Sequence, residues 1–503
     1  MRRHNTLFVK SNKGNLYICD LSKKEIFPCH RLVEHFYNLD TSNSESEDSL
    51  ISLITLSNKD SADERDLRYY AKKYIYLREN GYFSSNKKPL IVQYSPSDIE
   101  DAIENVESVV LEVTEGCNLS CVYCINGCLY NYSSPKKHVL DSNAAIAFMK
   151  YLLSTWDRTK KKTKCIRSIG FYGGEPLMNI SLIKDVVCLC EKYKSPDCQF
   201  EYRMTTNATL IDKHLDYLVS NRFFLTISLD GDKDSQSYRV YANGRNSFNK
   251  VYANLKMLMA KYPEYWEKYV SFNSILHDRN NVADIHSFIF NEFGKIPEIH
   301  TLNTSGIIAS KRATFAKMFR AYDDRESENT NILLETRFMS DPRLFNLSQF
   351  LLWYSSSNYY DYQSVLYDAP LDLQIVRTGT CAPFSRKIYL SARRKIYPCE
   401  RINDIYNMGE VEPNNNNIII NAEEIAHAFN KRLQILSKQC NSCYMINGCY
   451  QCMFQLDGMK DFKPICRMHM SKKQMVQHIR EYIDLIESGY VDYEKLLKEG
   501  VLK

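Results

Sequence analysis

The sequence contains no continuous apolar run of 18 residues, and its first residues include no apolar core of the kind found in signal peptides. A helix needs about 20 mostly apolar residues to cross a bilayer. A secretory signal needs an apolar stretch of about 7 to 15 residues behind its basic start, whereas strand-like sequence follows Met1-Arg2-Arg3 here. We therefore expect a soluble, cytoplasmic protein with no membrane partner.

An excess of one charge is also missing. The chain has 65 basic and 60 acidic residues, a net charge of +5, and the two signs are interspersed. A protein that follows a nucleic-acid backbone needs a continuous basic surface to neutralise phosphates. Nucleic acid is therefore excluded as the expected partner.

The chain does not need disulfides for its stability. Its 503 residues are enough for about three domains with a sizeable core, and its 17 cysteines are an odd number. Most of them crowd into two clusters, at 117–128 and 381–466, which predicts metal or iron–sulfur ligation. The scattered ones are expected to be unligated structural thiols: Cys19, Cys29, Cys165, Cys188, Cys190 and Cys198.

The N-terminal pattern is strand, strand, strand, then helix. Short β-rich segments around Leu7, Leu16 and Ile26 precede helical patterns at 32–37 and 67–77. The polar segment between the two helical patterns is predicted to be a surface loop. This order predicts a small winged-helix-like domain over residues 1–100.

From residue 106 short β-rich segments alternate with amphipathic stretches, which predicts an α/β fold with a parallel sheet. Six strands suit a partial (β/α)6 barrel over residues 106–310, whose functional groups would lie at the carboxyl ends of the strands. The candidate strands are Val109 to Val113, Ser168 to Tyr172, Tyr202 to Thr206, Phe224 to Leu229, Val270 to Leu276 and Ile299 to Leu302.

The first candidate strand is followed by Cys117, Cys121 and Cys124 in a CX3CX2C spacing. Three thiolates so close together can bind three irons of a four-iron cluster and leave the fourth iron without a protein ligand. The alternative is a zinc knuckle, for which Cys128 is the available fourth ligand.

The next three strands also end in residues suited to binding a ligand. Gly173 and Gly174 let the backbone approach closely, and Pro176 fixes the turn that follows Glu175. The third and fourth strands end in Thr206-Asn207 and Ser228-Leu229-Asp230, whose polar groups can bind a ribose or an amino-acid carboxylate. Taken singly, each segment is also typical of a turn or a helix cap.

The segment CNLSCVYC, followed one βα unit later by GGEP, resembles the signature of the radical S-adenosylmethionine (SAM) enzymes. The resemblance implies a [4Fe-4S] cluster whose open iron binds SAM, and reductive cleavage of SAM to a 5′-deoxyadenosyl radical that abstracts hydrogen from a substrate. It also implies an electron donor such as flavodoxin or ferredoxin.

The resemblance also assigns residues to the two cofactors. Cys117, Cys121 and Cys124 are assigned to the cluster, and the residues assigned to SAM are Tyr123, Gly173, Gly174, Glu175, Pro176, Thr206, Asn207, Ser228 and Asp230. Arg239 or Arg245 could pair with the SAM carboxylate, although either is also typical of a solvated surface arginine.

Seven cysteines between positions 381 and 466 exceed what one metal centre can use. Their pattern resembles the SPASM extension of radical SAM enzymes, which implies two auxiliary [4Fe-4S] clusters. The resemblance assigns Cys440, Cys443, Cys449 and Cys466 to one cluster, and Cys381, Cys399 and Cys452 to the other. The chain departs from the family pattern in three places: CX2C replaces CX3C at Cys449, Arg394 replaces a glycine, and no cysteine lies between 382 and 398.

Glu400 directly follows Cys399 and is the candidate catalytic residue. Sulfatase-maturing members of the family use an acidic residue as a proton acceptor, and a carboxylate beside a substrate can play that role. The alternative is a surface ion pair with Arg401 or Arg394.

The N-terminal element order resembles the leader-recognition domain of enzymes that modify ribosomally made peptides. The resemblance therefore implies a maturase that crosslinks a precursor peptide through a thioether, carbon–carbon or related bond. The alternatives are a formylglycine-forming enzyme like the anaerobic sulfatase maturases, and a noncatalytic peptide-binding or zinc-binding scaffold. The expected organisation is a leader-recognition domain at 1–100, the radical SAM barrel at 106–310, a bridging segment at 311–375, the SPASM-like domain at 376–470 and a helical tail at 471–503.

Overall fold

The computed structural model describes residues 6–40, 46–57, 63–83, 90–130, 138–158, 165–304, 306–320, 347, 350–351, 354, 375–376, 378–446, 449 and 451–489. The chain forms two compact units. The first takes its residues from 1–92, 341–380 and 432–503, and the second from 93–340 and 381–431. The predicted bridging segment, 311–375, lies mostly outside the described residues.

The first unit begins with a three-stranded antiparallel sheet, followed by three helices. The strands β1 (Thr6–Lys10), β2 (Leu16–Asp20) and β3 (Glu25–Pro28) pair in that order. The helices are α1 (Arg31–Leu39), α2 (Glu47–Ser57) and α3 (Glu64–Glu79). The prediction of a surface loop is wrong for residues 47–57, because α2 buries Leu50 and Ile54 in a core shared with Ile18, Phe36 and Tyr74.

The second unit contains six parallel strands that neighbour one another in chain order, close to the six predicted strands. A short strand β4 (Leu90–Ile91) belongs to the first unit, and α4 (Pro96–Asn105) then leads into the sheet. The parallel strands are β5 (Ser108–Thr114), β6 (Cys165–Gly173), β7 (Cys198–Thr206), β8 (Phe224–Ser228), β9 (Val270–Leu276) and β10 (Glu298–Thr301). The helices that follow them are α5 (Ser142–Arg158), α6 (Ile180–Tyr193), α7 (Ile211–Ser220), α8 (Phe248–Lys261), α9 (Pro263–Tyr269), α10 (Val282–Phe293) and α11 (Arg312–Met318).

Alternation along the strands separates two faces of this sheet. On β5, Val109 and Leu111 pack in the core that contains the helices, which leaves Val110 and Glu112 on the opposite face. Because the strands are parallel and in register, their carboxyl ends lie along one edge of the sheet. The cysteine loop and the three polar strand ends lie along that edge, so the fold has the α/β architecture predicted from the sequence.

Four further strands extend the sheet beyond β5, so that it has ten strands in all. After β11 (Ile375–Val376), which pairs with β4, come β12 (Ile388–Leu390), β13 (Lys395–Tyr397), β14 (Gly409–Val411) and β15 (Ile418–Ile419). β12 runs parallel to β5, and the others follow as antiparallel hairpins. The predicted SPASM-like segment is therefore divided, since 381–431 belongs to the second unit and 432–470 to the first.

Two helices complete the described fold. α12 (Ala422–Cys440) leads to the last cysteines, and α13 (Lys472–Glu487) lies in the first unit with Met475, Ile479 and Ile483 buried. Its last turn accepts hydrogen bonds from the Asn12 amide, at Asp484, and from the Tyr17 hydroxyl, at Glu487, each at 2.7 Å. The predicted helical tail is thus part of the same unit as the N-terminal strands. Within the described residues no helix is both long and apolar enough to span a bilayer.

The turn between β12 and β13 explains one departure from the family pattern. Arg394 adopts a φ of 61°, in the left-handed region where glycine is favoured. Its guanidinium lies 3.0 Å from the Asp141 carboxylate and also donates to the carbonyl oxygens of Glu412 and Pro413. Arginine lacks the conformational freedom of glycine. These contacts compensate for the strain of the left-handed backbone at this position.

We expect R394G to be more stable than R394A by about 1 kcal/mol, because both variants lose the Asp141 contact but only glycine relaxes the left-handed backbone. Urea unfolding of the two proteins measures the difference. At Glu410, in β14, the order should reverse, with alanine more stable than glycine. If R394A proved as stable as R394G, the strain argument would be wrong.

Candidate active site

Three thiols lie together in the loop that follows β5. Burial raises the pKa of Cys117 to about 11 and that of Cys121 to about 12, and the Cys124 thiol adds to both shifts. The loop is anchored by backbone hydrogen bonds from Ser120 to Val240, at 2.6 Å, and from Val122 to Tyr238, at 3.0 Å. The trio predicted from the CX3CX2C spacing is therefore brought together by the fold.

The GGEP turn fits against this loop. The Gly174 amide donates to the Thr114 carbonyl and the Glu175 amide to the Gly116 carbonyl, both at 2.9 Å. A Cβ on Gly173, whose φ is 145°, or on Gly174 would overlap the backbone of residues 114–116. The two glycines therefore let the turn pack closely against the end of β5, the strand that leads into the cysteine loop.

Glu175 connects the same turn to the end of β7. Its carboxylate is fully buried and accepts hydrogen bonds from the Leu177 amide, the Thr206 hydroxyl and the Asn207 amide at 2.7 to 3.1 Å. Burial raises the pKa of Glu175 to about 7 although all three donors oppose the shift. Glu175 is assigned to SAM by resemblance. Within the protein, its carboxylate connects the ends of β6 and β7 by hydrogen bonds.

A ring of amides and a hydroxyl joins β7 to the cysteine loop. The Asn207 side chain donates to the Asn118 carbonyl oxygen, at 2.9 Å, and to the Cys117 sulfur, at 3.7 Å. Thr209 donates to the Asn207 oxygen from both its backbone and its hydroxyl, and the Asn118 amide donates to the Thr209 hydroxyl. Asn118 and Thr209 were not singled out in the sequence, where a polar residue near a cysteine has no distinctive signal.

A buried ion pair lies at the end of β8. Arg239 binds both oxygens of Asp230 at 3.0 Å, and the Tyr123 hydroxyl and the Ile275 amide also donate to this carboxylate. Burial alone would raise the pKa of Asp230, but Arg239, His277 and the Tyr123 hydroxyl outweigh it and lower the pKa to about 2. The interpretation of Arg239 as a solvated surface arginine is wrong, since it is 8% exposed. Arg245 is exposed, and Ser228 lies buried where β8 ends.

Glu400 has a partner that the sequence did not indicate. The Lys387 ammonium lies 3.1 and 3.2 Å from its two oxygens, whereas Arg401 is 4.0 Å away and Arg394 is bound elsewhere. Burial favours the neutral acid, but Lys387 outweighs it and lowers the pKa of Glu400 below its usual value. The alternative pair with Arg401 is thus present only at the limit of ion-pair distance, the one with Arg394 is not formed, and Lys387 is the principal partner.

Tyr172 is influenced by both this pair and the cysteine loop. It precedes Gly173 on β6, and its strand neighbour is Glu112 on β5. Burial, Glu400 and Cys124 together raise the pKa of Tyr172 to about 12, so its hydroxyl is within electrostatic reach of both groups. No local sequence pattern distinguishes this tyrosine, because its position depends on strand register.

One salt bridge, to a carboxylate that also contacts His138, holds the β12–β13 turn at the cysteine loop. Arg393 donates to Glu115 at 2.6 Å, and His138 lies 2.9 Å from the other oxygen of the same carboxylate. Glu115 lies two residues before Cys117, and Arg393 six residues before Cys399. These contacts connect the segment that carries Cys399 and Glu400 to the start of the loop that carries the three thiols.

The C-terminal cysteines are distributed over both units. Cys440, Cys443, Cys449 and Cys466 lie together in the first unit, where burial and the other three thiols raise the pKa of Cys440 to about 12. Cys381 and Cys399 belong to the second unit and Cys452 to the first. No three His, Cys, Asp or Glu side chains in the described part of the chain are arranged to share a single metal ion.

The donor set of the cysteine loop suits an iron–sulfur cluster. Thiolates are the soft ligands that such clusters select, and each binds a different iron, so the thiols need not converge on one point. Cys117 already accepts hydrogen bonds from the Leu119 amide, at 3.4 Å, and from Asn207. Such N–H donors are the groups that stabilise a negatively charged sulfur.

Comparison with known proteins identifies the sheet and its loops. Residues 111–290 match the family model of the Radical SAM superfamily, so this part of the chain is a radical SAM enzyme domain. The resemblance inferred from CNLSCVYC and GGEP is confirmed. The match to this superfamily implies SAM and a [4Fe-4S] cluster as the cofactors of this domain.

Two curated relatives and one solved structure are similar to the chain. It is 24% identical over 229 residues to the radical SAM cyclopropyl synthase TigE of Paramaledivibacter caminithermalis, which covers 44% of this chain and 45% of that protein. It is 27% identical over 172 residues to a cysteine-type anaerobic sulfatase-maturating enzyme of Clostridium novyi, covering 32% and 43%. The chain thus spans less than half the length of either relative. The solved structure, native anSMEcpe with bound AdoMet, has a TM-score of 0.48 and 17% identity, covering 76% of this chain and all of that one.

Ionisation of Glu175 should destabilise the fold as the pH rises. Its pKa is about 7 in the folded chain against an ordinary value of 4.5, so the protonated form is favoured by folding. This contribution to the free energy of unfolding is complete below about pH 4.5 and is lost as the pH rises through about 7, by roughly 3 kcal/mol in all.

Urea unfolding at pH 5 and pH 8 should show wild type losing stability relative to E175Q, which cannot ionise. E201Q, which alters a half-buried carboxyl group on β7, should follow the wild-type pH dependence. A constant difference between wild type and E175Q would contradict the assignment.

Proposed function

We propose that this chain is a radical SAM maturase that abstracts a hydrogen atom from a ribosomally made precursor peptide and forms a thioether, carbon–carbon or related bond. The observation that carries the proposal is the trio Cys117, Cys121 and Cys124, held by the GGEP turn at the strand ends of a radical SAM domain. The similarity to two enzymes named as a cyclopropyl synthase and a sulfatase-maturating enzyme supports a maturase-type reaction.

In this proposal Cys117, Cys121 and Cys124 hold the [4Fe-4S] cluster. When bound, the cluster and SAM together supply the electron and the 5′-deoxyadenosyl radical. The surrounding strand ends form the SAM site: Tyr123, Gly173, Gly174, Glu175, Pro176, Thr206, Asn207, Ser228 and Asp230. Glu175 holds two of those ends together, and the pair of Asp230 with Arg239 fixes the Tyr123 hydroxyl.

Glu400 is the proposed proton acceptor. Its carboxylate is mostly buried, keeps its charge through Lys387, and lies within electrostatic reach of Tyr172, as Cys124 does. A carboxylate so placed can take the proton released when a substrate radical is oxidised. Lys387 would orient the carboxylate and keep it ionised until the proton arrives.

The auxiliary centres would accept the electron left by that oxidation. The mutual proximity of Cys440, Cys443, Cys449 and Cys466 supports one auxiliary [4Fe-4S] cluster in the first unit. The second set, Cys381, Cys399 and Cys452, stays a prediction from the SPASM resemblance. An electron donor such as flavodoxin or ferredoxin would complete the redox chain.

The three-stranded sheet of the first unit is the proposed leader-binding element. Among the described residues no strand pairs with the outer edge of β3. The Cys29 amide donates to Leu16, so by alternation Glu25 and Phe27 face β2, and Ile26 directs its N–H and C=O to the open edge. An extended leader peptide can add there as a strand, as in other cases of β-augmentation. The winged-helix-like assignment of residues 1–100 remains part of this proposal.

A sulfatase-type maturase that forms formylglycine is the second candidate. The similarity to the Clostridium novyi enzyme and the lysine-paired Glu400 beside Cys399 favour it. The two candidates differ in product: a crosslink removes two hydrogen atoms from a peptide, whereas formylglycine formation replaces the side-chain group of cysteine or serine with an aldehyde. Because oxidation of serine to formylglycine also removes two hydrogen atoms, the peptide is first treated with a hydrazide reagent, which adds to the aldehyde and not to a crosslink, and mass spectrometry then distinguishes the two products.

Cys121 should be essential and Cys128 dispensable. C121A removes one of the three cluster ligands, so we expect loss of the SAM-dependent change in the cluster spectrum and a fall of at least about a hundredfold in 5′-deoxyadenosine released under strong reductant. C128A is the matched control, since Cys128 is exposed and is required only by the zinc alternative.

The decisive measurement is iron and zinc content of anaerobically reconstituted protein, together with 5′-deoxyadenosine by chromatography. Zinc without iron in the wild type, with metal lost in C128A, would support the noncatalytic scaffold and sink the enzyme proposal.

Blocking the β3 edge should separate leader recognition from SAM cleavage. I26P removes the outward N–H without disturbing the pairs with β2, and proline is tolerated on an edge strand. I26A trims the same side chain but keeps the donor. We expect I26P to modify a co-expressed precursor, encoded by a neighbouring reading frame, at least about tenfold more slowly than I26A.

Both proteins should release 5′-deoxyadenosine at the wild-type rate when no precursor is present. Equal modification of the precursor by I26P and wild type would show that the leader does not add to this strand. Point variants are used because Tyr17 and Asn12 contact α13, so removing the N-terminal strands would also expose that helix.

A further inference from the structure

The Asn207 side chain uses both ends of its amide within the protein. Its oxygen accepts from the Thr209 backbone N–H, at 3.0 Å, and from the Thr209 hydroxyl, at 2.6 Å. Because a backbone N–H can only donate, this contact identifies which end of the amide is the oxygen. The NH2 group must then point the other way, toward the Asn118 oxygen and the Cys117 sulfur.

The orientation is reinforced by a closed set of hydrogen bonds. Asn118 accepts from Asn207 through its oxygen and donates through its own NH2 group to the Thr209 hydroxyl, at 2.7 Å. Each of the three side chains is therefore held by the other two. Asn207 is 8% exposed and Thr209 is 1% exposed, so water competes little for these groups. An amide held in this way cannot turn without breaking several hydrogen bonds at once.

We propose that the Asn207 amide tunes the reduction potential of the cluster bound by Cys117, by donating a hydrogen bond to that sulfur in an orientation fixed by Asn118 and Thr209. The inference rests on the proposed function, because it requires a cluster at this loop. A donor to a ligating sulfur stabilises the added negative charge of the reduced cluster and so raises its potential. Asn207 thus makes it easier to reduce the cluster with the electron that the proposed reaction consumes.

The test is the midpoint potential of the reconstituted wild-type and variant proteins, measured without SAM by a redox titration followed by electron paramagnetic resonance. N207A removes the donor, so at a fixed potential its ratio of reduced to oxidised cluster should fall roughly fivefold. N207D places a carboxylate oxygen where the donor was, and should shift the potential further in the same direction. T209V keeps Asn207 and the backbone N–H that donates to its oxygen, but removes the hydroxyl that holds both Asn207 and Asn118, and should give a smaller shift.

N221D is the matched control. Asn221 follows α7, donates to the Tyr217 carbonyl at 2.8 Å, and takes no part in the site, so this variant adds the same charge away from Cys117. Its potential should equal that of wild type. Iron content is measured on every protein, and if N207A failed to retain the cluster, T209V would decide the question.

An unchanged potential in both N207A and T209V, with the iron content of wild type, would overturn the inference while leaving the proposed function intact. A wild-type protein that binds no iron at this loop would instead refute the proposed function. The two failures are thus distinguishable.

Discussion

The active-site end of the second unit depends on the contact between the GGEP turn and the end of β5. Two backbone hydrogen bonds, from Gly174 to Thr114 and from Glu175 to Gly116, bring the turn so close that side chains at Gly173 and Gly174 would not fit. The cysteine loop starts at this contact. The turn can pack against the start of this loop only because no Cβ lies between them.

The polar groups around this contact are buried, and hydrogen bonds offset the free-energy cost of removing these groups from water. Glu175 accepts three of them, and Asp230 is bound by both nitrogens of the Arg239 fork. A buried carboxylate without such partners would cost several kcal/mol. The pKa values of the two carboxylates therefore shift in opposite directions. The pKa of Glu175, which has no cation beside it among the described residues, is raised, whereas Arg239 lowers the pKa of Asp230. The strand ends therefore carry one permanent negative charge and one that depends on pH.

The segment from Cys381 to Lys431 continues the sheet of the radical SAM domain. β12 pairs with β5, and the ion pairs of Arg393 with Glu115 and of Arg394 with Asp141 hold the next turn. In this way a cysteine and a carboxylate far along the chain, Cys399 and Glu400, follow a strand of the same sheet that carries the first cysteine loop. The last cysteines belong to the other unit, whose core includes the N-terminal strands.

The sequence by itself determined the elements whose signal is local: the six parallel strands, the cysteine trio and the GGEP turn, because periodicity and motif spacing depend on residues close together in the chain. It failed at α2, whose short apolar segment lies within a polar stretch that is typical of a loop, and at Arg239, whose burial no local pattern reveals. Only the tertiary structure decided the partners of Glu400, Asp230 and Cys117. Lys387, Arg239 and Asn207 reach them through strand register and loop anchoring, which bring together residues that are distant in sequence or carry no distinctive signal there.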